Sequence, residues 1–373
     1  MIVSHFLRWN ESAPVRQRAA AAAALARAFV SEELEFEDRC AAEAALTLLL
    51  DDPSEKVRLA LAENLSISKR APVQIIRALA TDQPSVAGVV LARSPLLSDA
   101  QLVDLLAEDD ERKQVFIAMR ASLSMQVCAA IAEIGTVDAC IELLANSGAD
   151  LATMSLRRIA ERHGRHPQVR GAMLDDARLP ADTRHALLVT IGETLRHSSF
   201  VRAAIGERRA DKITRDACVH ASLTLVENAD AGDHAAMVEH LRLRGELTTS
   251  FLMRVVGHGN IDFFGCAIVS LSGQSGERVR GLLARGGPSA LRATLSAAGL
   301  PAICTRPILR ALDLWRDVAN GRRIAGPQEV TFEMRRAIED GTGAAELATL
   351  LDQIHLDMLR RNARSHALTI AAA

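Results

Sequence analysis

Apolar positions recur along most of this chain at intervals of three and four residues, the spacing that lines one face of an α-helix. Val57, Ala60, Leu61 and Leu65 share one such face, with Leu59 on the opposite side. The polar stretch before them, Asp52-Pro53-Ser54-Glu55-Lys56, reads as a helix start. Asp52 suits an N-cap, where a carboxylate accepts a hydrogen bond from an unpaired amide. Pro53 then falls at the first helical position, where a missing N–H costs nothing. The pattern returns at Asp82-Gln83-Pro84-Ser85-Val86 and again at Val115, so that Val57, Val86 and Val115 stand 29 positions apart. That interval lies within the range of helical-repeat proteins. Partner helices fall between these openings. Pro72 opens one carrying Ile75, Ile76 and Leu79, Ser98-Asp99 opens one carrying Leu102, Leu105 and Leu106, and Ser124 opens one carrying Val127 and Ile131.

Upstream, residues 1–13 read as loosely ordered and residues 14–30 as an Ala-rich amphipathic helix with Leu25 and Phe29 inward. Glu32-Glu33 through Asp38 is an acidic opening that would oppose a helix macrodipole favourably. Downstream, Gly135-Thr136 and Pro180 open further helices, and Thr214-Arg215 to Val226 is another. Ala229 to Asp233 is a turn, and a boundary is placed near Asp230. Gly257, Asn260, Ser272-Gly273 and Gly286-Gly287-Pro288 separate the helices of a second array, and Gly299 before Pro301 marks a left-handed helix end. The organisation expected is therefore an N-terminal helical cap over 1–50, a repeat array over 51–230, a second array over 231–320 and a C-terminal helical extension over 327–363. In that extension Leu347, Leu350, Leu351, Ile354 and Met358 form one stripe and Leu356 lies opposite. One stripe is satisfied by docking on the chain's own helices; the second face raises a homodimer through this segment. The tail Ala371-Ala372-Ala373 reads as disordered.

The stretch Asp52 to Arg58, an Asp separated by four residues from Val-Arg and an apolar helix, resembles the second helix of a HEAT repeat. That resemblance implies that Asp52 caps its helix and that Arg58 joins a ladder with neighbouring repeats. The second copy has Ala87 in place of the Arg, and the third has no Asp-Pro, so the ladder is incomplete. Pro72 to Asp82, Val86-Ala87 and Ser94 to Asp99 resemble a bacterial family of HEAT-like proteins of no assigned function. Gly286-Gly287-Pro288 and Ala298-Gly299-Leu300-Pro301 resemble it too. The likeness spans roughly residues 35–315. It implies an all-α fold, a HEAT-like α-solenoid that winds helix pairs into a right-handed superhelix, and it carries no chemistry.

Composition agrees with packed short helices. Hydrophobic residues make up 49% of the 373, aromatic ones only 3%, and Tyr is absent, which disfavours a β-sandwich. At least about 65% helix and essentially no strand are expected from the periodicity. The net charge of −2 does not suit a dedicated nucleic-acid binder, which is usually basic overall or in one segment. Cys40, Cys128, Cys140, Cys218, Cys266 and Cys304 form no Cys-x-x-Cys pair and read as reduced thiols of a cytoplasmic protein. Ala19 to Ala24 after Arg16-Gln17-Arg18 superficially resembles an export signal, but alanine is weakly apolar and Arg27 interrupts the run. No stretch of some 20 strongly apolar residues suggests membrane insertion.

Candidate chemistry is sparse. His163 and His166 are three apart, and Cys218 and His220 make a mixed pair, yet no carboxylate is spaced to complete a zinc site. The first pair flanks a glycine before Pro167 and fits a helix-ending loop. Glycines at 257–259, 273–276 and 286–287 fall between helices, where capping explains them. Asp51-Asp52 and Asp175-Asp176 sit at turns. No metal, cofactor or catalytic residue is assigned, and the protein is read as a non-enzyme. Two basic clusters remain. Arg157, Arg158, Arg162, Arg165 and Arg170 are interrupted only by Glu161; Arg202, Arg208, Arg209, Lys212 and Arg215 are interleaved with Glu207 and Asp211. A salt-bridged solvated face is the plain reading of both. Contact with an acidic protein or an anion is the functional one, with Arg157, Arg158, Arg162, Arg165, Arg208 and Arg209 as candidates. The first cluster lacks an aromatic neighbour for base stacking.

The function expected from these features is a protein-interaction scaffold or regulator that uses the curved surface of a repeat array. A nucleic-acid-binding repeat protein is the alternative, and an enzyme whose site is assembled from distant residues is the third reading.

Overall fold

The computed structural model describes residue 9 and residues 12–31, 34–108 and 110–372, with side chains beyond 364 described only at 367. Most of the segment expected to be loose, residues 1–8, 10 and 11, lies outside the described residues, as do Glu32, Glu33 and Ala373. Among the described residues helix takes up 76% of the structure in 22 named α-helices, and no strand forms. The chain divides into two compact units, 1–179 and 180–373.

Unit 1 contains α1 (Val15–Ser31), α2 (Phe36–Leu48), α3 (Glu55–Leu65), α4 (Val73–Ala80), α5 (Pro84–Arg93) and α6 (Asp99–Leu106). It continues with α7 (Glu111–Ala118), α8 (Met125–Ile134), α9 (Val137–Ala145), α10 (Thr153–His163) and α11 (Pro167–Asp175). One row of helices packs on the next but one: α1 on α3, α3 on α5, α5 on α7, α7 on α9 and α9 on α11. A second row runs from α6 to α8 to α10. The residues at helical spacing supply the contacts. Val57, Leu61 and Leu65 of α3, Ile75, Ile76 and Leu79 of α4, and Val86, Val90 and Leu91 of α5 are fully buried. Each such side chain contributes about 1.5–3 kcal/mol of transfer free energy. Where α5 and α7 meet there is room for no side chain: a Cβ at Gly88 would lie 2.5 Å from the Phe116 ring.

Local signals set most of the helix starts. Ser98 and Gln101 form a complete capping box at α6. Asp110 accepts from the amides of Arg112 and Lys113 at α7, and Ser124 and Thr136 cap α8 and α9. The start of α3 differs from the sequence reading. Asp52 and Pro53 precede the helix, which begins at Glu55 with Ser54 as its N-cap. Asp52 stays extended (φ −61°, ψ 127°) and accepts the Ser54 amide at 2.8 Å, because its carboxylate is also held by a guanidinium from α1. The loops between helices touch as well. Leu123 and Ala149 form an isolated parallel bridge, with Leu123 N–H on the Gly148 carbonyl and Asp150 N–H on the Leu123 carbonyl.

Unit 2 contains α12 (Ala181–His197), α13 (Ser199–Ile205), α14 (Glu207–Asn228), α15 (His234–Leu243), α16 (Thr249–His258) and α17 (Ile261–Ser272). It ends with α18 (Gly276–Arg285), α19 (Pro288–Ala297), α20 (Ala302–Ala319), α21 (Pro327–Arg336) and α22 (Ala344–Ala372). One hydrophobic cluster unites it, running from Leu223 and Val226 through Phe251, Val255, Phe263 and Phe264 to Val330, Leu351 and Ile354. The turn near Asp230 therefore joins helices of a single core. The units divide fifty residues earlier, where Pro180 opens α12. Gly257 lies inside α16; the residue that ends this helix is Gly259, in the left-handed conformation at φ +90°.

The C-terminal stripe docks within the chain. Leu347, Leu351, Ile354 and Met358 are buried, and α22 packs on α21 and α16. That face is thus not free for a dimer, and Leu356, half exposed, is what remains of the second face. α22 also continues as helix to Ala372, through residues expected to be disordered.

Candidate functional site

Unit 1 spends its conspicuous charges on its own scaffold. The Arg18 guanidinium forks onto Asp52 at 2.8 and 3.0 Å and donates to the Ala13 carbonyl. Arg58 repeats the motif one helix pair along, forking onto Asp82 at 2.6 and 3.0 Å and donating to the Asp52 carbonyl at 2.7 Å. Burial alone would raise the two carboxyls. The Arg18 fork and the Ser54 amide outweigh it at Asp52, and the Arg58 fork and the Gln83 amide outweigh it at Asp82, so both lie below the usual carboxylate range. Farther on, backbone carbonyls join the acceptors, although Arg178 also keeps a carboxylate, Asp176 at 2.9 Å. Arg120 donates to the carbonyls of Leu91 and Ser94, and Asn146 to those of Ala118 and Arg120. Arg178 reaches Leu144 and Ala149. Each of these long side chains closes unpaired carbonyls at the end of an earlier helix.

The first basic cluster is used in the same way. Arg158 forks onto Glu133 at 2.7 and 2.8 Å and reaches Glu161 at 3.1 Å. Arg162 donates to the Ala132 carbonyl and Arg157 lies against the Met154 sulfur, while Arg165 is exposed. His163 contacts the Gly135 carbonyl at 3.1 Å, and His166 is the residue before α11. These groups are not convergent: they are distributed over the α8–α11 surface as helix ties.

The second cluster stands differently. α13 has no buried residue. Phe200 is 80% exposed, and Leu195, Ile205 and Ile213 beside it in sequence are exposed too. Arg202 pairs with Glu207. Arg208, Arg209, Lys212 and Arg215 are exposed and have no carboxylate partner among the described residues. Arg196, Lys212 and Arg215 also line a cavity of about 790 Å³ bounded by α12, α14, α16, α22 and the loop between α15 and α16. Basic and apolar side chains therefore share one corner of unit 2. The basic half of it was readable from the sequence. The apolar half was not, because Leu195, Phe200, Ile205 and Ile213 could equally have faced a core.

Behind that cavity sits an ordered polar chain. His185 Nδ1 lies 3.1 Å from His240 Nε2, and His185 Nε2 lies 2.7 Å from Ser222 Oγ and 3.3 Å from Glu246. Burial pushes His185 down to about 4, opposed by the Glu246 charge, so the imidazole is neutral. Ser222 donates its own proton to the Cys218 carbonyl at 2.8 Å. His185 therefore faces Ser222 as a donor, and the pair orders the cavity floor instead of activating a nucleophile. On the other side, α22 is latched by charge. Arg361 forks onto Glu227, which also meets His258 Nδ1 at 2.6 Å, and Arg254 reaches Asp357 at 3.3 Å.

No helix of the described residues is long and apolar enough to cross a membrane. The six cysteines are separate thiols, Cys40 being exposed. No curated protein and no solved structure matches the chain. Residues 86–349 match the family described as "Uncharacterised protein conserved in bacteria (DUF2336)". The match runs from the middle of unit 1 through most of unit 2, well over half the sequence, and the protein belongs to this bacterial family.

Proposed function

We propose that the protein is a non-enzymatic interaction scaffold of the cytoplasm, in which unit 1 is a HEAT-like solenoid and unit 2 recruits a protein partner through its α12–α14 corner. The two rows of helices in unit 1, each packed on the next but one, support the solenoid reading. The observation that carries the recruitment is α13. A seven-residue helix with no fully buried side chain gains little from packing within the chain, and short isolated helices are marginal in water. Its exposed Phe200, beside cations with no carboxylate partner among the described residues, matches a partner segment that offers an apolar face and carboxylates. Such surfaces combine an aromatic anchor with peripheral charge.

The test is site-specific photocrosslinking in the native cell, with the crosslinker at position 200 or, as control, at exposed Ile67. We expect a discrete adduct from position 200 only, identified by mass spectrometry as a protein with an acidic amphipathic segment. Combining the crosslinker with Arg208→Glu and Arg209→Glu should remove it. Identical adducts at both positions, or adducts to nucleic acid, would sink the proposal.

A further inference from the structure

Unit 2 has a second cavity, of about 900 Å³, between α15, α17, α18 and α20. Its size falls within the range of small-molecule sites, which join an apolar wall to a few placed polar groups. Val238, Ile261, Val269, Leu283, Leu312 and Trp315 form much of the wall. Gly265 keeps it open: a Cβ there would already press on Leu283 at 3.1 Å.

Most polar groups around this space are occupied. Trp315 donates its indole N–H to the Val256 carbonyl at 2.8 Å and so offers only its ring. Arg316 donates to the carbonyls of Leu282 and Leu283. Glu239 is forked by Arg242 at 2.7 and 2.8 Å. Asp262 sits on the first turn of α17, where the helix macrodipole favours a carboxylate.

Two groups are left. His234 is 8% exposed, lines the cavity, and meets Phe263 edge-on with ring centroids 5.6 Å apart, but it makes no hydrogen bond to the described residues. Its ring nitrogens are not among the fully buried polar atoms, so they reach accessible space, and an imidazole always offers at least one donor N–H to a molecule placed there. The other deeply buried imidazoles, His185 and His258, both have partners. Arg280, which also lines the cavity, is exposed and pairs with no carboxylate among the described residues. Its charge nevertheless reaches inward: burial raises the Cys266 thiol, with Asp262 adding to the rise, and Arg280 opposes them.

We propose that this cavity binds an amphipathic small molecule with an apolar body and a single anionic head, the body against Trp315 and Leu283, the head on Arg280, and His234 hydrogen-bonded to a polar atom of the ligand. The site is distinct from the α12–α14 corner and does not depend on the scaffold reading.

The test titrates the full chain with decanoate, decyl phosphate and neutral decanol, read by calorimetry and by the imidazole NMR signal of His234. One of the two anions should bind saturably at one site per chain, at least about tenfold tighter than decanol, and shift the His234 signal; which anion binds tighter identifies the head group as carboxylate or phosphate. Arg280→Gln, an exposed change expected to leave the melting temperature unaltered, should weaken that anion about tenfold and leave decanol unchanged. His234→Phe, which keeps the edge-on contact with Phe263, should weaken the anion as well. The proposal is overturned if neither anion saturates, if decanol binds equally well, or if Arg280→Gln binds the anion like the parent chain.

Discussion

Arg58 does the work of three donors at once. Its guanidinium joins the Asp82 carboxylate and the Asp52 carbonyl, and its side chain is largely covered. Arg58→Ala should cost roughly 1–3 kcal/mol, since it strands a half-buried carboxylate. Arg58→Lys should recover little, because an ammonium cannot reproduce the fork. Denaturant unfolding of the full chain measures both, and an unmoved unit 1 transition would show a merely solvated side chain. Acid should affect the two units in different windows. The carboxyls of Asp52 and Asp82 lie below their unfolded value, so their contribution is complete above about pH 4 and vanishes as pH falls through the folded values. His185 is also depressed, to about 4 against an unfolded value near 6.5. Its neutral form stabilises fully above pH 6.5 and is lost on the way to pH 4, at about 1.4 kcal/mol per pH unit. Unit 2 is therefore expected to weaken first on acidification, and His185→Gln, which cannot titrate, should flatten that slope.

Loop geometry governs how neighbouring helices are held. Gly148 lies so close to the next loop that a Cβ would stand 2.0 Å from the Ala121 carbonyl oxygen. Backbone cannot yield as a flexible side chain does, so Gly148→Ala should destabilise unit 1 by about 1–3 kcal/mol. Gly171→Ala, in α11 with nothing within 4 Å of the added methyl, should be neutral or stabilise by up to about 1 kcal/mol. Comparing the two melting temperatures checks the close approach; equal effects would contradict it. These elements also show where sequence reasoning reaches. Ser98, Ser124 and Thr136 announce helix starts because a cap acts on an amide two or three residues away. Asp52 misleads by two residues, because the partner that draws it out of the helix is Arg18, 34 positions upstream. The same distance hides the candidate sites. His185 and His240 are 55 residues apart in sequence, and the cavity around His234 is made by four helices, none of which marks it alone.

At the scale of the whole molecule, the clearest difference is between the contacts of the two units. Unit 1 packs each helix on the next or the next but one. Unit 2 closes on its own end, with Val330, Met334, Leu351 and Ile354 in the common core. A chain ending at Arg323 should keep the unfolding transition of unit 1 while unit 2 loses its cooperative transition and binds a dye for exposed apolar surface. Two intact transitions in calorimetry would show that α21 and α22 are dispensable. The long reach of α22 also sets an order of events during synthesis. Arg361 meets Glu227 across 134 residues, and Arg254 meets Asp357 across 103. On the ribosome, unit 1 can assemble helix by helix behind the exit tunnel. Unit 2 must wait with Phe251, Val255 and Phe263 uncovered until the hundred residues that complete its core have been made. At translation rates of about 5–20 residues per second, that is an exposure on the order of ten seconds, long enough for chaperones to find each nascent chain before it can close.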